Sequence, residues 1–166
     1  MPAIVLAAQQ AQAQQNNAQA LVTLNPAEAA AFEAIASRIM PTDETPGAKE
    51  AGVIYFMDNV LGGERSEVLP ALRKGLSDLQ ALANDRVGTT ALDSIPDASL
   101  DSLLREIEDT PFFATLRYLT LAGMFAAPQH GGNQQRTGWL LIGFEDNHAW
   151  APPFGHYDAD YMEKGE

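Results

Sequence analysis

Histidine is the side chain best suited to proton transfer and metal binding near neutral pH, and the chain carries three: His130, His148 and His156. Successive histidines lie 18 and 8 residues apart, which matches none of the compact zinc patterns, whose paired ligands fall about two to five residues apart. Asp158 and Asp160 stand beside His156 and could join it in an acid/base or metal cluster. With 22 acidic residues in the chain such neighbours also arise by chance, and a solvated acidic tail is the plainer reading. Cysteine is absent, which excludes thiolate-held iron–sulfur clusters, c-type haem attachment and cysteine zinc sites within this chain.

The glycines offer no nucleotide site. Gly131-Gly132-Asn133 with Gly138 lacks the spacing, preceding strand and following helix of a dinucleotide loop. Gly62-Gly63 reads as a helix stop. There is no Gly-x-Ser-x-Gly elbow, and Ser37, Ser66, Ser77, Ser94, Ser99 and Ser102 sit on or beside helical segments without a nearby histidine. No residue of the chain is therefore expected to be catalytic, to bind a cofactor or to ligate a metal. Arg117 stands out because it falls in the most apolar segment, where a buried guanidinium needs a carboxylate or carbonyls to satisfy it. It pairs internally, snorkels outward or reaches a partner subunit.

The elements that would position such residues read as helices. Asn25-Pro26-Ala27-Glu28 supplies an N-cap, a proline at N1 and a glutamate at N3, and Phe32, Ile35 and Ile39 follow on one face. Pro41 ends that helix. Thr45-Pro46 is expected to open a second, in which Val53, Phe56, Met57 and Val60 recur at helical spacing until Gly62-Gly63. The third spans about Glu67 to Val87, with Leu69, Leu72, Leu76, Leu79 and Ala83 on its face and Gly88 as its stop. A fourth starts near Asp97 and uses Leu100, Leu103, Leu104 and Ile107. Thr110-Pro111 opens the fifth, from Phe112 to about Phe125, apolar on nearly every side and so expected to be the buried axis. The fold class is all-α: a five-helix bundle over residues 24–126. Trp139 to Phe144 is a short apolar run that reads as an isolated strand or an extended segment.

Length and charge bound the rest. A chain of 166 residues buries roughly 70% of the surface its unfolded form exposes, enough for a hydrophobic core without disulfides or metal. The net charge of -12 opposes nucleic-acid backbones and anionic lipid surfaces, so neither nucleic acid nor direct membrane insertion is expected. Residues 1–23 form an Ala/Gln-rich flexible leader; its first twenty residues hold seven Ala, six Gln and no charge. Ile4-Val5-Leu6-Ala7-Ala8 followed by Ala11-Gln12-Ala13 has the form of a signal-peptide remnant with a small-x-small cleavage pattern. A plain polar leader is the other reading, since the first arginine is Arg38 and no twin-Arg or basic n-region precedes it.

Residues 127–166 form an irregular tail rich in aromatic residues, Pro and Gly. Ten of the 13 aromatic residues follow Thr110 and six follow Phe125, a concentration that disorder disfavours and that functional long loops allow. Trp139, Phe144, Trp150, Pro152, Pro153, Phe154 and Tyr157 either fold back on the bundle or dock on another protein, since rigid aromatics are common interface anchors. With Arg117 they make up the expected partner interface.

The same residues carry a family likeness. Leu24-Asn25-Pro26-Ala27-Glu28, the run from Phe32 to Ala48 and Ala51-Gly52-Val53, with the block IMPTDETPGAKEAGV at its centre, resemble the start of the gluconate 2-dehydrogenase subunit 3 family. Gly131-Gly132-Asn133, Gly138-Trp139, Ile142-Gly143-Phe144 and Pro152-Pro153-Phe154-Gly155 with Tyr157-Asp158 are similar to that family's closing motifs. The resemblance implies a non-catalytic small subunit of a periplasmic sugar or polyol dehydrogenase. It implies FAD in a separate large subunit of the glucose-methanol-choline (GMC) oxidoreductase type, and haem c in a multihaem cytochrome c third subunit of some complexes. The small subunit would bind the large one and support its folding, cofactor loading and export. Glu145 to Ala151 corresponds to no fixed motif of the family. The competing expectation from the residues alone is a self-sufficient metal-binding or enzymatic module built on the tail histidines and carboxylates.

Overall fold

A computed structural model of the chain describes residues 20–146, and within them the architecture is all-helical, with six α-helices and no strand. Helix α1 (Pro26–Ile39) starts as its sequence dictates. The Asn25 side chain accepts from the Glu28 N–H, and the Glu28 carboxylate accepts from the Asn25 N–H, which closes a capping box. Phe32 and Ile35 on α1 are completely buried.

The second helix begins later than expected. Thr45-Pro46 opens no helix, because the polar side chains around it satisfy the backbone in turns instead. Asp43 accepts from the Thr45 N–H and hydroxyl, and Glu50 accepts from the Gly47 N–H and the Thr42 hydroxyl. Helix α2 (Val53–Gly62) starts only after Gly52, whose φ of 64° is left-handed. Residues 22 and 23, expected as the end of the leader, are tied to this helix together with Leu24. The buried Asp58 carboxylate accepts from the backbone N–H groups of Val22, Thr23 and Leu24 at 2.8 to 2.9 Å.

Helix α3 (Leu69–Val87) follows a 3-10 turn, Ser66–Val68, and ends at left-handed Gly88. Helix α4 (Asp97–Glu106) presents Leu100, Leu103 and Leu104 to the core. Helix α5 (Pro111–Phe125) is capped by the Thr110 hydroxyl, which accepts from the Phe113 N–H. It lies against α1, α2 and α3, as the expected axis should, and buries Leu116, Leu119 and Met124. Two faces of it remain wet: Arg117 and Tyr118 are exposed. Arg117 thus snorkels outward.

Charged pairs tie the flanking helices to α1. Arg38 binds Asp101 through two guanidinium nitrogens and also reaches Asp97, linking α1 to α4. Arg73 binds Glu28 with both carboxylate oxygens engaged, linking α3 to α1. The hydrogen bonds from Arg38 hold the Asp101 carboxyl below its ordinary value, and those from Arg73 do the same for Glu28.

The sixth helix is the departure from a five-helix bundle. The run Trp139 to Phe144, expected as a strand or extended segment, is entered by helix α6 (Thr137–Leu141), which packs on α5. Two 3-10 turns, Pro128–His130 and Gln134–Arg136, precede it. No helix among the described residues is long and apolar enough to cross a membrane.

Candidate partner-docking site

The most unusual local structure lies where the chain leaves α5 and doubles back on it. Gly131, at a φ of 101°, turns the chain, and Gly132 then passes so close to the Gly123 carbonyl that a Cβ could not fit. Asn133 follows, completely buried and left-handed at a φ of 47°. Its N–H donates to the Gly123 carbonyl at 2.8 Å, its side-chain amide donates to the Ala126 carbonyl at 2.9 Å, and its side-chain oxygen accepts from the Gly138 N–H at 2.8 Å. One residue thereby binds the end of α5 to the start of α6. The Gln134 N–H donates to the Ala51 carbonyl, which fastens the same loop to the turn before α2.

Gln135 and Arg136 are also left-handed, at φ values of 56° and 59°. Neither is glycine, so each costs of order 1 to 3 kcal/mol that the surrounding contacts must offset. The two residues lead directly into α6. Gly138 rests against the Met124 carbonyl with no room for a Cβ, and the neighbouring Trp139 indole N–H donates to the Phe125 carbonyl at 2.8 Å. Phe144 packs edge-on against the Trp139 ring at 5.0 Å, and the Arg136 guanidinium covers that ring at 5.9 Å. Arg136 also pairs with Asp146.

This corner is rigid inside and apolar outside. Leu140 is 74% exposed, Ile142 60% and Phe144 45%, and Leu141 adds to the same run. Exposed apolar side chains scattered singly are ordinary, whereas a contiguous set marks an interaction surface. Trp139 and Phe144, expected at a partner interface, are brought together here; Arg117 lies apart on the outer face of α5. Trp150, Pro152, Pro153, Phe154 and Tyr157 lie outside the described residues. Sequence reasoning missed Asn133, Leu140 and Ile142. The available signal was a pair of tight glycine turns bracketing a helix too short to bury all its apolar residues.

The other candidates carry little chemistry. His130 is exposed and its carbonyl accepts from the Asn59 amide; His148 and His156, with Asp158 and Asp160, lie outside the described residues. Among the described residues no group of three His, Asp or Glu could hold a metal. Gly62 and Gly63 end α2. An apolar groove of about 390 Å3 runs between α3 and the α4–α5 turn. The hydroxyls on its wall, Thr110 and Thr115, donate to carbonyls of their own helix region, and Lys74 pairs with Asp78.

The family model described as gluconate 2-dehydrogenase subunit 3 matches residues 26–146. The chain belongs to that family. The match begins at the first residue of α1 and closes just beyond Phe144, so it takes in the whole bundle and the Asn133 corner. This subunit 3 protein matches no curated protein and no solved structure. The family's name is that of a subunit within a dehydrogenase complex.

Proposed function

We propose that the chain is the non-catalytic small subunit of a periplasmic FAD-dependent sugar, glucoside or polyol dehydrogenase. It binds the FAD-containing GMC-type large subunit, stabilises it and assists its maturation or export; haem c, where the complex has it, belongs to a separate cytochrome subunit. The observation that carries this reading is the exposed run Leu140, Ile142 and Phe144, mounted on a corner that Asn133 and two close-packed glycines hold in one geometry. Pre-organised apolar anchors bind with little ordering cost.

Stabilisation follows from mass action. A subunit that binds only the folded large subunit raises its stability by about 2.7 kcal/mol when present at a hundred times the dissociation constant. No hydride or proton needs to pass through this chain. The test is affinity capture of a tagged chain from its native periplasmic extract, recording flavin absorbance and the mass of the co-eluting protein. A yellow partner several times heavier is expected. The Leu140→Ala/Phe144→Ala variant should lose it, since truncating an interface anchor costs about 2 kcal/mol, roughly 30-fold in affinity. Elution of the chain alone and colourless, from an extract with active dehydrogenase, would overturn the reading.

A further inference from the structure

The outer face of α5 exposes an aromatic side chain and an arginine in a chain whose net charge is -12. Tyr118, Leu121 and Phe125 recur along α5 at steps of three and four, which places them on one stripe. Tyr118 is 55% exposed, and Leu121 and Phe125 are half-buried. The stripe ends at Phe125, whose ring lies beside Gly138 and whose carbonyl holds the Trp139 indole, so its end adjoins the docking corner. From Tyr118 to Phe125 it is about 10 Å long at the helical rise.

Tyr118 has one arginine over its ring and another beside it in sequence. The Arg65 guanidinium lies over its ring at 5.4 Å, and Arg117 is its exposed neighbour on α5. Arg38, Arg73, Arg86 and Arg136 each hold a carboxylate. Arg65 and Arg117, like Arg105 on α4, make no salt bridge among the described residues, in a chain with 22 carboxylates and a net charge of -12. Glu64 and Glu67, next to Arg65 in sequence, do not bind it. An arginine stacked on an aromatic ring keeps its donors pointing outward in a fixed fork, suited to bidentate capture of carboxylates.

We propose that the docking face extends up this stripe, with Tyr118 as a second anchor and Arg65 and Arg117 bound to carboxylates of the partner protein. The occupant is a folded protein that offers an apolar depression rimmed by Asp or Glu, matching aromatic anchors ringed by guanidinium groups. This rests on the reading that the Leu140–Phe144 corner docks the FAD-containing large subunit.

The test uses the full chain and that flavoprotein, purified by capture on the wild-type chain and then immobilised. Four proteins are titrated over it: wild type, Leu140→Ala/Phe144→Ala, Arg65→Glu/Arg117→Glu and Arg65→Lys/Arg117→Lys. Thermal unfolding followed by circular dichroism serves as a check that the exposed substitutions leave the fold intact. The charge reversal should weaken binding at least tenfold at low salt, with the loss shrinking to about twofold in 1 M salt, where the Debye length is about 3 Å. The lysine pair should lie between, because lysine keeps the charge and loses the fork. If the apolar double variant fails to bind and the charge reversal binds as wild type does at low salt, the corner docks the flavoprotein and this extension is overturned. If the apolar double variant binds unchanged, the docking reading itself fails and takes this inference with it. A charge reversal that alters only self-association of the chain, seen by size-exclusion chromatography, would identify a second copy as the occupant and also overturn the proposal.

Discussion

Asn133 is the residue on which the docking corner turns. Among the described residues it is the one buried side-chain amide, and its donor and acceptor serve different elements: the Ala126 carbonyl at the end of α5 and the Gly138 N–H in α6. Asparagine also tolerates the left-handed backbone better than most residues. Asn133→Ala should therefore leave a buried carbonyl and a buried N–H unpaired, at about 1 to 3 kcal/mol for each. We expect a loss of about 3 kcal/mol in urea unfolding, with Trp139 fluorescence shifting as the ring is released. A change under 1 kcal/mol would show that the corner is held by packing alone. None of this is legible in the sequence, where Asn133 reads as a loop asparagine after two glycines. Its importance comes from carbonyls that only the folded end of α5 presents.

The helices divide by how local their signals are. The Asn25–Glu28 capping box and the Thr110-Pro111 start were readable because cap and helix are within four residues of one another. Helix α3 was readable because five apolar residues keep step from Leu69 to Ala83 in a helix of nineteen residues. Two elements were not. Thr45-Pro46 carries a helix-start signature, yet Asp43 and Glu50 close turns around it. Helix α6 is five residues long, too short for periodicity to separate it from a strand. Its position depends on Gly138, so Gly138→Ala should push α6 off the Met124 carbonyl. Near-ultraviolet circular dichroism of Trp139 should collapse, with a loss of at least 2 kcal/mol from overpacking, while far-ultraviolet helix content stays near wild type. A variant with an unchanged Trp139 signal would mean that α6 can shift without losing its contact to α5.

At the scale of the molecule, ion pairs fix the outer helices to α1 and set a pH limit. The Asp101 and Glu28 carboxyls are held below their ordinary values of 3.8 and 4.5 by the arginines that bind them. A carboxylate whose pKa is depressed on folding adds stability that is present above its unfolded value and is lost as pH falls through the folded one. The contribution should thus be complete at pH 7 and decline below about pH 4. Both pairs are screened by solvent, and the less exposed one, Arg38 with Asp101, is worth about 1 kcal/mol. Arg38→Met should destabilise the chain by about that amount at pH 7 and by much less at pH 3, as measured by urea midpoints. A difference that stays constant between the two pH values would assign the role of Arg38 to its alkyl packing. The charge balance itself was plain in the composition. That Arg65 comes to lie over the Tyr118 ring needed the fold, because the two are far apart in sequence.

The close approach of Gly132 and Gly138 to carbonyls of α5 has a further consequence. Both positions exclude any side chain, Asn133 must follow the first glycine, and Trp139 must follow the second to reach the Phe125 carbonyl. A Gly-Asn pair separated by four residues from a Gly-Trp pair, downstream of an apolar helix, is therefore a spatial fingerprint that can be looked for in any helical chain. Where it follows such a helix, the same corner can form on the carbonyls of that helix's last turn.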